Sequence, residues 1–263
     1  MTDLPATIAD DLPEGLRAHA ADGVLTITFD RVEKRNAITY AMYRALVRLI
    51  DHAAADDGVR ALSFAAAGPI FTAGHDVSGF AQGAEIAFDE KPSYLFMQRL
   101  STFPKPVVAA LNGDAVGIGA TMLLHCDLVY AVPGCTLVFP FTKMGLIPEF
   151  GSTFHLPQLI GHRRTMALFL GSGRCSAEQA VQWGIVNELA APDRLAAAAA
   201  GALADIVALS PEAVRHTKAL AKAPHADGTA AAIATEAALF HELLASDFVR
   251  NRIGAIQRSI SGR

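Results

Sequence analysis

The sequence has little of what marks several large functional classes. Its three cysteines, Cys126, Cys135 and Cys175, follow no spacing used by a metal or a redox pair. An odd count without a pairing pattern fits a reducing compartment. Only 18% of the residues are charged, the net charge is -4, and no basic stripe is present. That balance argues against nucleic acid as the main partner. No apolar run reaches the roughly 18 residues that a spanning helix needs. The Ala-rich stretch "LAAAAAGALADIVAL" carries Asp205 and reads as a packed helix. The opening "MTDLPATIADDLPEG" lacks the basic and apolar regions of a secretory signal. The terminal "SGR" is not the peroxisomal address. A soluble, cytoplasmic chain with no membrane partner is expected. Three further signatures are missing. Neither glycine-rich turn carries a Walker lysine, "GIGATM" has Met122 where a dinucleotide fingerprint needs its third glycine, and no G-x-S-x-G elbow occurs.

What is present is a long chain with a large apolar fraction. It has 263 residues, 52% of them hydrophobic, enough for one large α/β domain or a domain with a helical appendage. "LRAHAADGVLTITFDR" reads as a hairpin turning at Asp22-Gly23. Thr39 opens a helix with apolar positions at Met42, Leu46, Ile50 and Ala53. Strands are expected in "ALSFAAAG", "PVVAALNG" and "CTLVFPF", and helices in "KPSYLFMQRLSTF", "GATMLLHCD" and "GSTFHLPQLIG". "SAEQAVQWG" carries a Ser176/Gln179 capping box and a closing Gly184. Strand and helix alternate to about Leu189, the pattern of parallel strands with helical crossovers. Beyond that the chain becomes helical and Ala-rich. The division is drawn at 1–195 for the core and 196–263 for a helical region that must bury its apolar face on the core or on another subunit.

Two glycine turns stand out: "FTAGHDV" and "LNGDAVGIGATMLLHCD". Each passes from a strand end to a helix start through small residues, which leaves backbone N–H groups without helical acceptors. Taken singly, each is explained by tight strand-to-helix packing. Taken together, two N–H groups converging from different loops would form an oxyanion hole. The candidate donors are the amides of His75 and Ile118, with the helix after Gly119 adding its positive end. A third stretch, "GLIPEFGST", places Glu149 at the end of an apolar run. It could be a base, or an anion at a helix N-terminus. Asp76 reads as an N-cap and Asp127 as a partner for backbone N–H groups. Trp183 reads as core, the His75 side chain as incidental, and Arg250, Arg252 and Arg258 as a solvated face.

These stretches, in their order and spacing, resemble the crotonase family of enoyl-CoA hydratases and isomerases. The resemblance runs through "RVEKRNAIT", "IFTAGHDV", "PKPVVAALNGDAVGIGATMLLHCDLVYA", "GLIPEFGST" and "SAEQAVQWGIVNEL", and covers nearly the whole chain. It implies a crotonase-like spiral of ββα units followed by a helical trimerisation region, in a homotrimer or a hexamer of paired trimers. It implies an acyl-CoA thioester substrate, with no cofactor beyond the CoA that the substrate carries and no metal. The thioester oxygen would sit between the His75 and Ile118 amides. The nucleotide end of CoA would meet Lys34 and Arg35, the backbone of Asn36 and Ala37, and the stretch at Ala73, Gly74 and Asp76. Phe141, Leu146, Phe150 and Thr121 would surround the acyl group.

The resemblance also points to the reaction. Hydratases of the family carry two glutamates, at the positions occupied here by Thr121 and Phe141. Neither residue can activate water well. "GLIPEFGST" looks instead like the single-glutamate 3-enoyl-CoA isomerases of the peroxisomal type. The implied function is therefore double-bond isomerisation, 3-enoyl-CoA to 2-enoyl-CoA, with Glu149 as acid and base. A hydratase and a non-catalytic acyl-CoA-binding homologue remain as alternatives.

Overall fold

The hairpin forms as the sequence predicts. In the computed structural model, which describes residues 11–79 and 86–261, β1 (Leu16–Ala21) pairs antiparallel with β2 (Val24–Phe29). Asp22 and Gly23 both take positive φ, as a two-residue turn of this hand requires. The expectations for the first ten residues and for the end of "SGR" lie outside the described residues.

Thr39 caps α1 (Tyr40–Ala55) by accepting the Met42 N–H, and Met42, Leu46, Ile50 and Ala53 are all buried. Three ββα units follow. The first is β3 (Ala61–Ala66), β4 (Ile70–Thr72) and α2 (Pro92–Ser101). The second is β5 (Val107–Leu111), β6 (Asp114–Val116) and α3 (Ile118–Thr121), whose path continues as a 3-10 turn over Met122–His125. The third is β7 (Leu128–Ala131), β8 (Thr136–Val138) and α4 (Ser152–Ile160). In each unit the first strand joins one sheet and the second joins another. The six-stranded sheet runs β1-β2-β3-β5-β7-β10, and the four-stranded sheet runs β4-β6-β8-β9, with β9 at Arg174–Ser176 and β10 at Glu188–Leu189. Strand pairs are parallel except β1/β2 and β8/β9. Stepping one strand at a time along two sheets makes the spiral. The chain therefore has the α/β architecture that the resemblance implied.

After α5 (His162–Leu170) and the boxed helix α6 (Ala177–Gln182), the chain is helical: α7 (Leu195–Ala208), α8 (Pro211–Lys222), α9 (Ala226–Leu244) and α10 (Asp247–Ser261). No single helix among the described residues is long and apolar enough to cross a membrane. The change in secondary structure near residue 195 is not a break in the core. Leu195, Ala199, Leu203, Ile233 and Ala237 belong to the same buried cluster as the strands. Asp127 accepts the Val107 N–H at 2.8 Å, as expected, and also pairs with Lys218 of α8 at 2.6 Å. Trp183 is a correction: it is only partly buried against the core, with the Arg164 guanidinium 5.7 Å from its ring centre. Arg250, Arg252 and Arg258 are exposed.

Candidate active site

Three loops build the site, and each follows one of three neighbouring strands, β4, β6 and β8. Those strands are mutually parallel, so their C-terminal ends lie together.

The first loop is stitched to the basic loop before α1. The Thr72 hydroxyl donates to the Asn36 carbonyl at 2.6 Å and accepts the Gly74 N–H at 3.0 Å. Ala73 N–H donates to Arg35 O, Ile38 N–H to Gly74 O, and Asp76 N–H to Ile38 O. Lys34 and Arg35 stay exposed and form no ion pair among the described residues. The Asn36 and Ala37 amides, expected to face a ligand, are engaged inside the loop by Arg31 O and Lys34 O. The Asn36 side chain clamps Ala67 O and Ile70 O, each at 2.8 Å. Asp76 does cap: it accepts the Ser78 N–H at 3.0 Å and pairs with Arg31 at 2.6 Å. Desolvation opposes its ionisation, but the bonds from Ser78 and Arg31 outweigh that and hold its carboxyl below the usual range.

The second loop lies directly against the first. A Cβ on Gly74, which sits at φ +83°, would come within 2.5 Å of Val116 O. A Cβ on Gly119 would come within 2.3 Å of Thr72 Cγ2. The two glycines are thus what lets the turns touch. Gly117 adopts φ 58°, ψ -123°, a region open essentially to glycine alone, and its N–H is tied to Val138 O at 2.9 Å. The next N–H, that of Ile118, begins a helix and finds no acceptor among the described residues.

The third loop carries Glu149. It descends from β8 through a 3-10 turn, Thr142–Met144, and Gly145 in the left-handed region. Phe150 and Gly151 then both take positive φ, 63° and 68°. A phenylalanine there is strained by about 1–3 kcal/mol, so its surroundings must impose it. They do. The Phe150 ring is fully buried, stacked 4.3 Å over His125 and edge-on to Phe96 at 5.7 Å. Its carbonyl accepts a hydrogen bond from His125 Nε2 at 2.7 Å. Burial drives the His125 pKa down to about 3, so the ring is a neutral donor.

The helix-anion reading of Glu149 is corrected here. Helix α4 starts at Ser152, and the N–H groups of Gly151 and Thr153 are both taken by Glu236 of α9, at 2.6 and 2.9 Å. Glu149 contributes only its carbonyl, to Ser152 N–H. Its side chain is left to face a cavity.

That cavity, of about 320 Å³, is lined by Ala73, His75, Ile118, Phe141, Leu146 and Glu149 together with Tyr40, Lys91, Tyr94, Met97 and Met144. Helix α9 adds Ala237 and Phe240, and Leu244 closes one side, so the wall reaches beyond residue 195. Two expected acyl-pocket residues do not reach it. Thr121 is fully buried, with its hydroxyl turned back to the Gly117 and Ile118 carbonyls, and Phe150 lies behind Glu149 as its support. Lys34, Arg35, Asn36, Ala37, Gly74 and Asp76 are also absent from the lining. His75 is on the wall, and its ring, expected to be incidental, is held between Tyr43 (stacked, 5.5 Å) and Tyr40 (edge-on, 5.0 Å). Burial lowers its pKa to about 4. No motif marked Lys91 or Glu236, since both arrive from distant elements. Among the described residues no group of three or more His, Cys, Asp or Glu side chains is placed to hold a metal.

Glu149 keeps a little surface on the cavity, but protein packs closely around its carboxyl group. Burial first, and the Glu236 carboxylate second, raise its pKa to about 8. The sign of the consequence is fixed. Between pH 4.5 and about 8 the folded chain holds a proton that the unfolded chain releases, so this group's contribution to stability falls as pH rises through that window. Glu149→Gln is therefore expected to melt above wild type at pH 9, by about 1–3 kcal/mol, and to lose the advantage near pH 5. Thermal melts at the two pH values check it. Glu236→Gln is expected to cost about 1–3 kcal/mol through the α4 cap, since an amide nitrogen would confront one of the two N–H donors.

Against this geometry, a family model described as enoyl-CoA hydratase/isomerase matches residues 19–257. The chain belongs to that family. The 1,2-epoxyphenylacetyl-CoA isomerase of Escherichia coli K12 is 35% identical over 189 residues, 70% of this chain and 72% of the relative. The enoyl-CoA delta isomerase 2 of Rattus norvegicus is 34% identical, over 67% of this chain but 46% of its own length. A probable enoyl-CoA hydratase of Mycobacterium leprae is also 34% identical, over 75% and 78% of the two chains. Among solved structures, Pseudomonas aeruginosa OdaA superposes with a TM-score of 0.89 at 37% identity, covering 93% of this chain and 99% of that one. Isomerases and hydratases thus both stand among the relatives, and the family alone does not choose the reaction.

Proposed function

We propose that this family member is an acyl-CoA double-bond isomerase that converts a 3-enoyl-CoA to the 2-enoyl-CoA. One observation carries the choice over hydration: among the described residues, Glu149 is the only acidic side chain lining the cavity. Hydration asks for one group to activate water and another to manage the C2 proton. Moving a double bond asks for one group that takes a proton and returns it.

The thioester carbonyl acidifies C2. Glu149 removes a C2 proton, the electron pair of that C–H bond becomes the C1–C2 double bond, and the carbonyl π pair moves onto the thioester oxygen, giving a dienolate conjugated with the C3–C4 double bond. The amides of His75 and Ile118, on two loops that glycines bring into contact, hold that oxygen. Glu149 then gives the proton to C4, leaving the double bond between C2 and C3. A carboxyl group whose pKa is about 8 suits both steps, because it is a stronger base than an exposed glutamate and remains a competent acid. The exposed pair Lys34 and Arg35 would meet CoA phosphates by charge-assisted contacts. The loop they sit on is hydrogen-bonded to Ala73 at the cavity wall.

The test is turnover of 3-enoyl-CoA and 2-enoyl-CoA side by side, by wild type and Glu149→Gln. Isomerisation of the first, with little hydration of the second, is expected. Efficient hydration of the 2-enoyl ester with no action on the 3-enoyl ester would overturn the reading.

A further inference from the structure

The cavity wall contains a buried cation that the proposed chemistry does not use. Lys91 occupies the N-cap position just before α2 with only 7% of its surface exposed, and it lines the cavity. Its ammonium lies 2.8 Å from His241 Nδ1 on α9. A lysine donates and cannot accept, so His241 presents a neutral nitrogen here. No carboxylate lies within ion-pair distance of Lys91 among the described residues. The other buried lysines of the chain differ in this. Lys105 donates to the carbonyls of Ala53 and Asp56, and Lys218 to Lys105 O and the Asp127 carboxylate. Each donates to two oxygens, and neither lines this cavity. Lys91 keeps two of its three N–H bonds without a protein acceptor among the described residues.

An unpaired buried ammonium is unfavourable, and nothing in the isomerisation of a plain hydrocarbon chain requires one. A purely aliphatic acyl group would be better served by methionine or leucine at this place. The wall beside Lys91 is also not uniformly greasy. Ser93 and Tyr94, both lining the cavity, bring hydroxyl groups to the same helix start. No ion pair links Glu149 to Lys91 among the described residues.

From this geometry we infer that the acyl group ends in, or carries, a carboxylate, and that Lys91, steadied by His241, is the residue that selects it. The substrate class is then a CoA monoester of an unsaturated dicarboxylic acid. This rests on the cavity being the acyl site of the proposed isomerase, and it adds an anionic group to the acyl chain. A substrate carboxylate would supply the acceptor that the protein withholds. The bond would be charge-assisted in a desolvated setting, where it gives most discrimination.

The test uses two 3-enoyl-CoA esters of equal chain length, one ending in methyl and one in carboxylate. It also uses unreactive saturated analogues of both for binding. Wild type, Lys91→Met and Lys91→Arg are compared. The ratio of kcat/KM for the two esters is read within each protein, so a partly folded variant does not distort it. Wild type is expected to favour the carboxylate ester. Lys91→Met should lower that preference about 10–100-fold, mostly through KM, by weakening the carboxylate ester and improving the methyl one. Lys91→Arg should retain part of it. The inference is overturned if the ratio is unchanged in Lys91→Met, or if wild type favours the methyl ester. The two readings separate cleanly. Tighter binding of the carboxylate analogue, lost in Lys91→Met but without turnover of either ester by wild type, removes the isomerase and leaves the selectivity. Turnover of both esters with an unchanged ratio does the reverse.

Discussion

For the proposed isomerisation, Glu149→Gln is expected to lower turnover by about 10²–10⁴-fold while KM changes little. The substitution keeps the shape of the side chain and removes only its capacity to carry a proton, so the loss reports the proton-transfer step. A pH profile sharpens the expectation. Burial and the neighbouring Glu236 place the Glu149 pKa near 8, and the base is the deprotonated form. In wild type, kcat/KM should therefore rise with pH and level off above about 8. Glu236→Gln removes the second of those two causes, so its rise should come at lower pH. A merely structural Glu149 would move neither the plateau nor its midpoint. Retention of activity within about tenfold in Glu149→Gln would sink the assignment.

The second large effect is expected at Gly74. Gly74→Ala places a methyl group within 2.5 Å of Val116 O, a backbone atom with no rotamer to escape by, in a residue at φ +83°. The first turn must then move off the second, which would separate the His75 and Ile118 amides proposed as the oxyanion donors. Losing one oxyanion donor costs about 10²–10³-fold, and a fall of that size in kcat is expected here. Some destabilisation should accompany it, about 1–3 kcal/mol. Gly134→Ala is the control. Gly134 has a similar φ of +79°, but its added Cβ meets nothing within 4 Å. It should lose stability through strain and keep its turnover. Equal loss of activity in both variants would mean that folding, and not the spacing of the turns, was being measured.

Some features were legible because their causes are local. The Asp22-Gly23 turn, the Thr39 cap, the Ser176/Gln179 box and the alternation that forces parallel strands each depend on residues within a few positions of one another. The two glycine turns and "GLIPEFGST" were legible in the same way, as short stretches whose backbone demands admit few residues. Other features were not. Phe150 and Thr121 sit one and three places from cavity-lining residues in sequence, yet point behind the site, because a left-handed backbone at Phe150 and a helical one at Thr121 turn their side chains into the core.

The family, the ββα spiral, the pair of glycine loops and the one carboxylate proposed to act between them are written in short stretches of the chain. The surroundings of that carboxylate come from packing between distant elements. Glu236, 87 residues further along, caps α4 in its place and raises its pKa, and Phe240 and Lys91 arrive from two different helices to close the cavity. Such groups follow no spacing rule, because their proximity comes from helix packing across the core. A field or a desolvated surface belongs to an arrangement in space, and no single stretch of chain contains it.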